Sequence, residues 1–129
     1  MSAADTAPTL ELVTNFTFEA SHRLPHAPEH SKCRRLHGHS WKVEVHVCGE
    51  VDPTTGWVID YDDIQTACAP VHDALDHRHL NDVEGLANPT SEMIAIWIWQ
   101  RLTAIPGLTA VVVHETCTAR CVYRGAGSG

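Results

Sequence analysis

From Leu10 onward the even positions Leu10, Leu12, Phe16, Phe18 and Ala20 are apolar, while Glu11, Asn15, Thr17, Glu19 and Ser21 hold odd positions. That period of two predicts a β-strand buried on one face. From Ser40 the apolar phase is odd: Trp41, Val43, Val45 and Val47 alternate with Lys42, Glu44 and His46, which predicts a second strand. The segment DPTTG, from Asp52 to Gly56, has turn chemistry. WVID after it reads as a short strand or an extended piece.

Between Tyr61 and Leu75 the period changes. Ile64, Ala67, Cys68, Val71, Ala74 and Leu75 follow a three-and-four spacing, the pattern of an amphipathic helix, and Asp60 is placed to cap it. Pro70 lies inside this stretch and has no N–H to donate, so a kink or break near residue 69 is expected. NPTSEMIAIWIWQRL, residues 88–102, has a capping Thr90 and is apolar nearly all round, which predicts a mostly buried helix ended by Pro106-Gly107. LTAVVVHE then reads as a buried strand and RCVYR as its antiparallel partner. The order β-β-α-α-β-β predicts an α+β fold, a four-stranded antiparallel sheet with two helices on one face. It occupies residues 10–125 as a single domain, between a loose N-terminal segment 1–9 and a loose tail 126–129.

Composition narrows the function classes. A formal charge of -7 argues against nucleic acid as a partner, because a phosphate backbone is held by a basic surface. Lys32, Arg34 and Arg35 nevertheless make a local positive loop, read either as an anion site or as a solvated basic loop. No run approaches the roughly 18 apolar residues of a membrane span, and no basic start precedes an apolar one, so a cytoplasmic protein without a membrane partner is expected. Five cysteines at irregular spacing fit free thiols better than a disulfide framework.

Ten histidines in 129 residues are the conspicuous chemistry. His37 and His39 share a strand face with Trp41 and Val43, provided the second strand extends back that far; Gly38 points away between them. His22 continues the apolar phase of the first strand. If the two strands form an antiparallel hairpin, the end of one meets the start of the other and three imidazoles converge. Three histidines with an open fourth position suit a catalytic zinc, and iron or manganese would also accept them. HGHSWKVE also matches the His-x-His and later Glu of cupin barrels, but Glu44, five residues after His39, falls on the opposite strand face.

The stretches FEASHRLPH, CRRLHGHSW, GEVDPTTGWVIDYDDI, LDHRHLND, NPTSE and HETCTARCVYRG together resemble the 6-pyruvoyl-tetrahydropterin synthase family over roughly residues 14–125. The short gap from Cys33 to His37 resembles its bacterial 6-carboxy-5,6,7,8-tetrahydropterin synthase branch, which serves queuosine biosynthesis. The resemblance implies the tunnelling fold, a homo-oligomer with active sites between subunits. It also implies a pterin triphosphate substrate, 7,8-dihydroneopterin triphosphate, converted with loss of triphosphate and acetaldehyde. Elimination of triphosphate alone, or binding without turnover, are the alternatives.

Carried onto this sequence, the resemblance implies zinc on His22, His37 and His39, Cys33 as general base, and His77 with Asp76 as a relay. Glu115 would anchor the pterin ring through paired hydrogen bonds. Glu92 is either a second pterin contact or an acid favoured in the first turn of a helix. Arg23, Lys32, Arg34 and Arg35 are candidates for the triphosphate by charge and by closeness to the histidine motif. Positive neighbours favour a thiolate over a thiol, and the basic residues flanking Cys33 supply them.

Overall fold

The computed structural model describes residues 7–126. Two long strands, β1 (Thr9–His22) and β2 (His37–Glu50), pair antiparallel over their whole length, from Thr9↔Glu50 to His22↔His37. Alternation is what fixes this register: Phe18 faces Trp41 and Phe16 faces Val43 on the same side of the sheet. β2 therefore does begin at His37. After β2 the chain turns through residues 52–56, and WVID is a bend rather than a strand.

Helix α1 (Tyr61–Leu75) starts on Asp60, whose carboxylate accepts from Asp62 N–H, and buries Ile64, Cys68, Val71 and Leu75. The break expected at Pro70 is absent, and one helix runs across it. Pro70 and Thr66, whose carbonyl loses its partner, both lie on the exposed side, where water can satisfy the freed oxygen.

The predicted four-stranded antiparallel sheet needs correcting. Five strands are present, in the order β3-β1-β2-β4-β5, and the extra one, β3 (Arg78–His79), lies parallel to β1 through Ala20↔Arg78 and Ser21↔His79. The element order is thus β-β-α-β-α-β-β. Parallel pairing follows from the path: α1 packs on β1 and returns the chain to the edge of that strand. Asp76 Oδ1 then accepts from Glu19 N–H at 2.9 Å, and His77 N–H donates to Glu19 O at 2.6 Å.

Helix α2 (Ser91–Arg101) is capped by Thr90, whose hydroxyl accepts from Met93 N–H at 3.1 Å. β4 (Leu108–Thr116) and β5 (Ala119–Tyr123) complete the sheet. β4 joins β2 through a bulge at residues 108–110. Gly107 makes that join possible, because its φ is +76° and a Cβ there would sit 2.3 Å from Cys48 O. Both helices bury their apolar sides in one core with Trp41, Val43, Val45, Val111 and Val113. β1 already pairs from Thr9, inside the segment expected to be loose; residues 1–6 and 127–129 lie outside the described residues.

The opposite sheet face carries a polar ladder. Glu44 accepts from His114 and, at 3.0 Å, from His46, which also reaches Glu11 at 3.1 Å. Burial alone would raise the Glu44 carboxyl, but the hydrogen bonds from His114 and His46 outweigh it and hold it below its ordinary value. A depressed folded value means that the ladder stabilises the fold above the ordinary pKa and loses that contribution as pH falls through the lowered one.

Two outcomes are expected. Ile98→Ala, which empties a fully buried position of α2, should cost about 2–5 kcal/mol in urea unfolding with an unchanged slope. Glu44→Gln should lower stability at pH 7 by roughly 1–2 kcal/mol. Its difference from the unmutated protein should shrink on acidification below 4.5.

Candidate metal centre

His22 ends β1 and His37 begins β2, and the register places them opposite each other, with Ala20 opposite His39. One ring nitrogen from each of His22, His37 and His39 lies within 4.8 Å of the other two. This is the convergence that strand phase implied, and it needs no side chain outside the hairpin.

The tautomers are set by the backbone. Nδ1–H of His22 donates to Pro89 O at 2.9 Å, that of His37 to Arg35 O at 2.8 Å, and that of His39 to Ser40 O at 2.9 Å. A carbonyl can only accept, so each Nε2 is left with its lone pair free for a metal. The Nε2 atoms of His22 and His37 stand 2.9 Å apart. Two lone pairs at that separation repel unless a cation lies between them. Around a tetrahedral ion with bonds of 2.0–2.1 Å, ligand nitrogens sit about 3.3 Å apart, so the donor set fits such an ion with a small opening of the rings.

Trp41 forms the floor. Its buried ring lies 4.1 Å from that of His39, meets the edge of His22 at 4.9 Å, and stacks on Phe18 at 5.8 Å. His22 is itself fully buried. Burial, opposed by the Pro89 hydrogen bond and reinforced by His37, pushes its pKa down, which keeps the imidazole neutral and able to ligate.

Glu115 reaches within 3.9 Å of His22 Nε2 and is partly exposed. A register shift between His114 and Thr116 leaves it unpaired with β5, and such bulges re-aim side chains. It lines an open cleft of about 410 Å³ with Trp41, His114, Thr116 and Cys117. Glu44 lies on the opposite face in its ladder with His46 and His114, so the cupin arrangement is absent.

Cys33 is half-buried in a one-turn 3-10 helix, Lys32–Arg34, where Ser31 Oγ accepts from Cys33 N–H. Leu24 N–H donates to Cys33 O at 2.8 Å, tying this loop to the chain just after His22. Asp76 Oδ2 accepts from His77 Nδ1–H at 2.9 Å. The Glu19 N–H bond first, then His77, hold the Asp76 carboxyl below its ordinary value. His77 has the left-handed φ of 58° and a side chain 79% exposed. No hydrogen bond joins Cys33 to His77 within the chain, among the described residues.

The other candidates scatter. Arg23, Lys32 and Arg35 are exposed; Arg34 donates to Ala27 O and helps to close its loop. Glu92 is exposed in the first turn of α2, where it accepts from Ser91 Oγ. Sequence reasoning missed the Pro89 carbonyl and Asn81, which bonds Arg23 and Ala87. Only the tertiary path reveals either.

The 6-pyruvoyl tetrahydropterin synthase family model matches residues 11–126. The chain belongs to this family. A Synechocystis sp. protein named 6-carboxy-5,6,7,8-tetrahydropterin synthase is 46% identical over 115 residues, covering 84% of this chain and 88% of its own. A 6-pyruvoyl tetrahydrobiopterin synthase of Drosophila melanogaster is 36% identical, covering 92% and 81%. The solved Caenorhabditis elegans 6-pyruvoyl tetrahydropterin synthase superposes with a TM-score of 0.84 at 32% identity, covering 93% of this chain and 98% of that one. The matched residues thus include all three histidines, all of β2 and β1 from Glu11 onward.

One divalent ion per chain should be found by elemental analysis, removable by chelator. His37→Ala should weaken binding by more than the roughly 10–100-fold that loss of an outer hydrogen-bond partner costs, with an unchanged far-UV circular dichroism spectrum.

Proposed function

We propose that the protein is a zinc-dependent lyase that converts 7,8-dihydroneopterin triphosphate and water to 6-carboxy-5,6,7,8-tetrahydropterin, acetaldehyde and triphosphate, in queuosine biosynthesis. The observation that carries this reading is the trio of backbone-oriented imidazoles beside Glu115, in a chain 46% identical to a protein named for the carboxy product. Zinc suits three neutral imidazoles. When bound it supplies Lewis-acid polarisation of the side-chain hydroxyl oxygens of the substrate.

The residues of the chain do the remaining work. Glu115 receives the amino-amide edge of the pterin, and its carboxylate can accept two hydrogen bonds. Cys33 takes a proton from the substrate side-chain carbon. Asp76, held as the carboxylate, fixes Nδ1–H of His77 and leaves Nε2 to receive the proton from the thiol. Arg23, Lys32, Arg34 and Arg35 supply positive charge for the triphosphate, and Glu92 a second polar contact to the ring.

Homo-oligomerisation completes the centre. Ala20 and Ser21 of β1 pair with β3, and Asp76 and His77 hold the backbone of Glu19, so the edge of β1 from Thr9 to Phe18 pairs with no other strand among the described residues, and neither does the outer edge of β5. His77 projects outward, where a second copy can bring it beside a Cys33. A cytoplasmic location agrees with this chemistry. No helix among the described residues is long and apolar enough to cross a membrane.

The 6-pyruvoyl names of the Drosophila and Caenorhabditis relatives favour a second reading, in which triphosphate is eliminated without carbon-carbon cleavage. Incubation of the zinc-loaded protein with dihydroneopterin triphosphate distinguishes them: acetaldehyde and the 6-carboxy product are expected in equal amounts, and a pyruvoyl product would overturn the assignment. Cys33→Ala should lower turnover by at least about 100-fold, the low end for loss of a general base, while retaining near one zinc per chain. Loss of zinc would make Cys33 a ligand instead.

A further inference from the structure

We propose that Asn81 is the positioning residue of the metal centre, clamping the residue that follows His22, the segment that leads to Pro89 and, through one peptide unit, the loop that bears Cys33. The proposal rests on the metal reading above. Asn81 lies in a one-turn 3-10 helix, Leu80–Asp82, anchored by fully buried Leu80. Its Oδ1 accepts from Arg23 N–H at 3.0 Å, and its Nδ2 donates to Arg23 O at 2.8 Å and to Ala87 O at 3.3 Å.

Each bond ends next to the metal centre. Arg23 directly follows His22, so the paired bonds to its N–H and C=O hold the peptide that sets the direction of the His22 side chain. Ala87 lies two residues before Pro89, whose carbonyl accepts from His22 Nδ1–H. One amide thus holds both the backbone of the ligand and the segment that orients its ring. The carbonyl of Arg23 also shares a peptide unit with the N–H of Leu24. That N–H donates to Cys33 O at 2.8 Å. The 23–24 peptide is therefore gripped by Asn81 on one side and by the Cys33 loop on the other, and rotating it would move His22 and Cys33 together.

The requirement is specific to an amide. Asn offers an acceptor and two donors on one short stem, and all three roles are filled here. Asp is the same size but would turn an oxygen toward two carbonyls, and Ala would leave all three backbone groups without this partner.

The full-length protein, stripped of metal and titrated with zinc against a chromophoric chelator, tests the idea through Asn81→Asp and Asn81→Ala. Both should weaken zinc binding by about 10–100-fold, the usual cost of losing an outer partner of a ligand. Both should also change the visible absorption of the cobalt-loaded protein, which reports ligand geometry. Ile105→Val, a core change outside the clamp, should lower the melting temperature without moving affinity or spectrum. A melting temperature lowered in the Asn81 variants with unmoved affinity and spectrum would make Asn81 merely structural and overturn the proposal. In the unmutated protein, zinc should slow hydrogen exchange at the Arg23 and Leu24 amides, and unchanged exchange would also count against the clamp. Absence of zinc binding by the unmutated protein would instead sink the metal reading, and the proposal with it.

Discussion

The pairing of β1 with β2 is the constraint on which the rest of the molecule depends. Its unbroken register from Thr9↔Glu50 to His22↔His37 decides which residues face the helices and where the histidines meet. A slip of one residue would turn Phe16, Phe18 and Ala20 of β1 toward the polar face and carry His22 away from His37. Fold and site are therefore one problem here: the hydrophobic pairing of Phe18 with Trp41 that seals the core also fixes the floor of the histidine cluster.

From that hairpin the remaining elements act in two roles. Helix α1 brings the chain back to the edge of β1, where Asp76 and His77 bind the backbone of Glu19. The segment before α2 brings Pro89 against His22. β4 contributes Glu115 at a point where its pairing with β5 is irregular. Loops and strand ends thus carry the candidate site residues, while the regular middle of the sheet carries the buried core.

What the sequence revealed follows from period. β1, β2, both helices and the final hairpin are long enough to show their spacing, and the shared phase of His22, His37 and His39 was readable with them. β3 was not, because two residues cannot display a period and Arg78–His79 pair only through the return path of α1. Pro70 misled because a propensity argument ignores exposure: a freed carbonyl that faces water costs little. The Glu44, His46 and His114 ladder was half visible, since phase put Glu44 and His46 on one face but only cross-strand register supplies His114. Asn81 lies in the stretch LDHRHLND, but nothing local there announced its hydrogen-bonding role. Its three hydrogen bonds join segments far apart in sequence or hidden in a loop. The roles given to Cys33, His77 and Glu115 came from family resemblance, and the geometry of a single chain supplies only their placement.

All three imidazoles are oriented by main-chain oxygens, those of Pro89, Arg35 and Ser40. Substitution of a side chain cannot delete such an acceptor, so the orientation of the ligands is buffered against single mutations at these three positions. A neutral partner also adds less electron density to a ligand than a carboxylate would. Three neutral ligands held by neutral acceptors would leave the charge of a bound cation unneutralised by the imidazoles themselves. In a chain of formal charge -7, that cation would add to the local positive charge of Arg23, Lys32, Arg34 and Arg35, against the sign of the molecule as a whole.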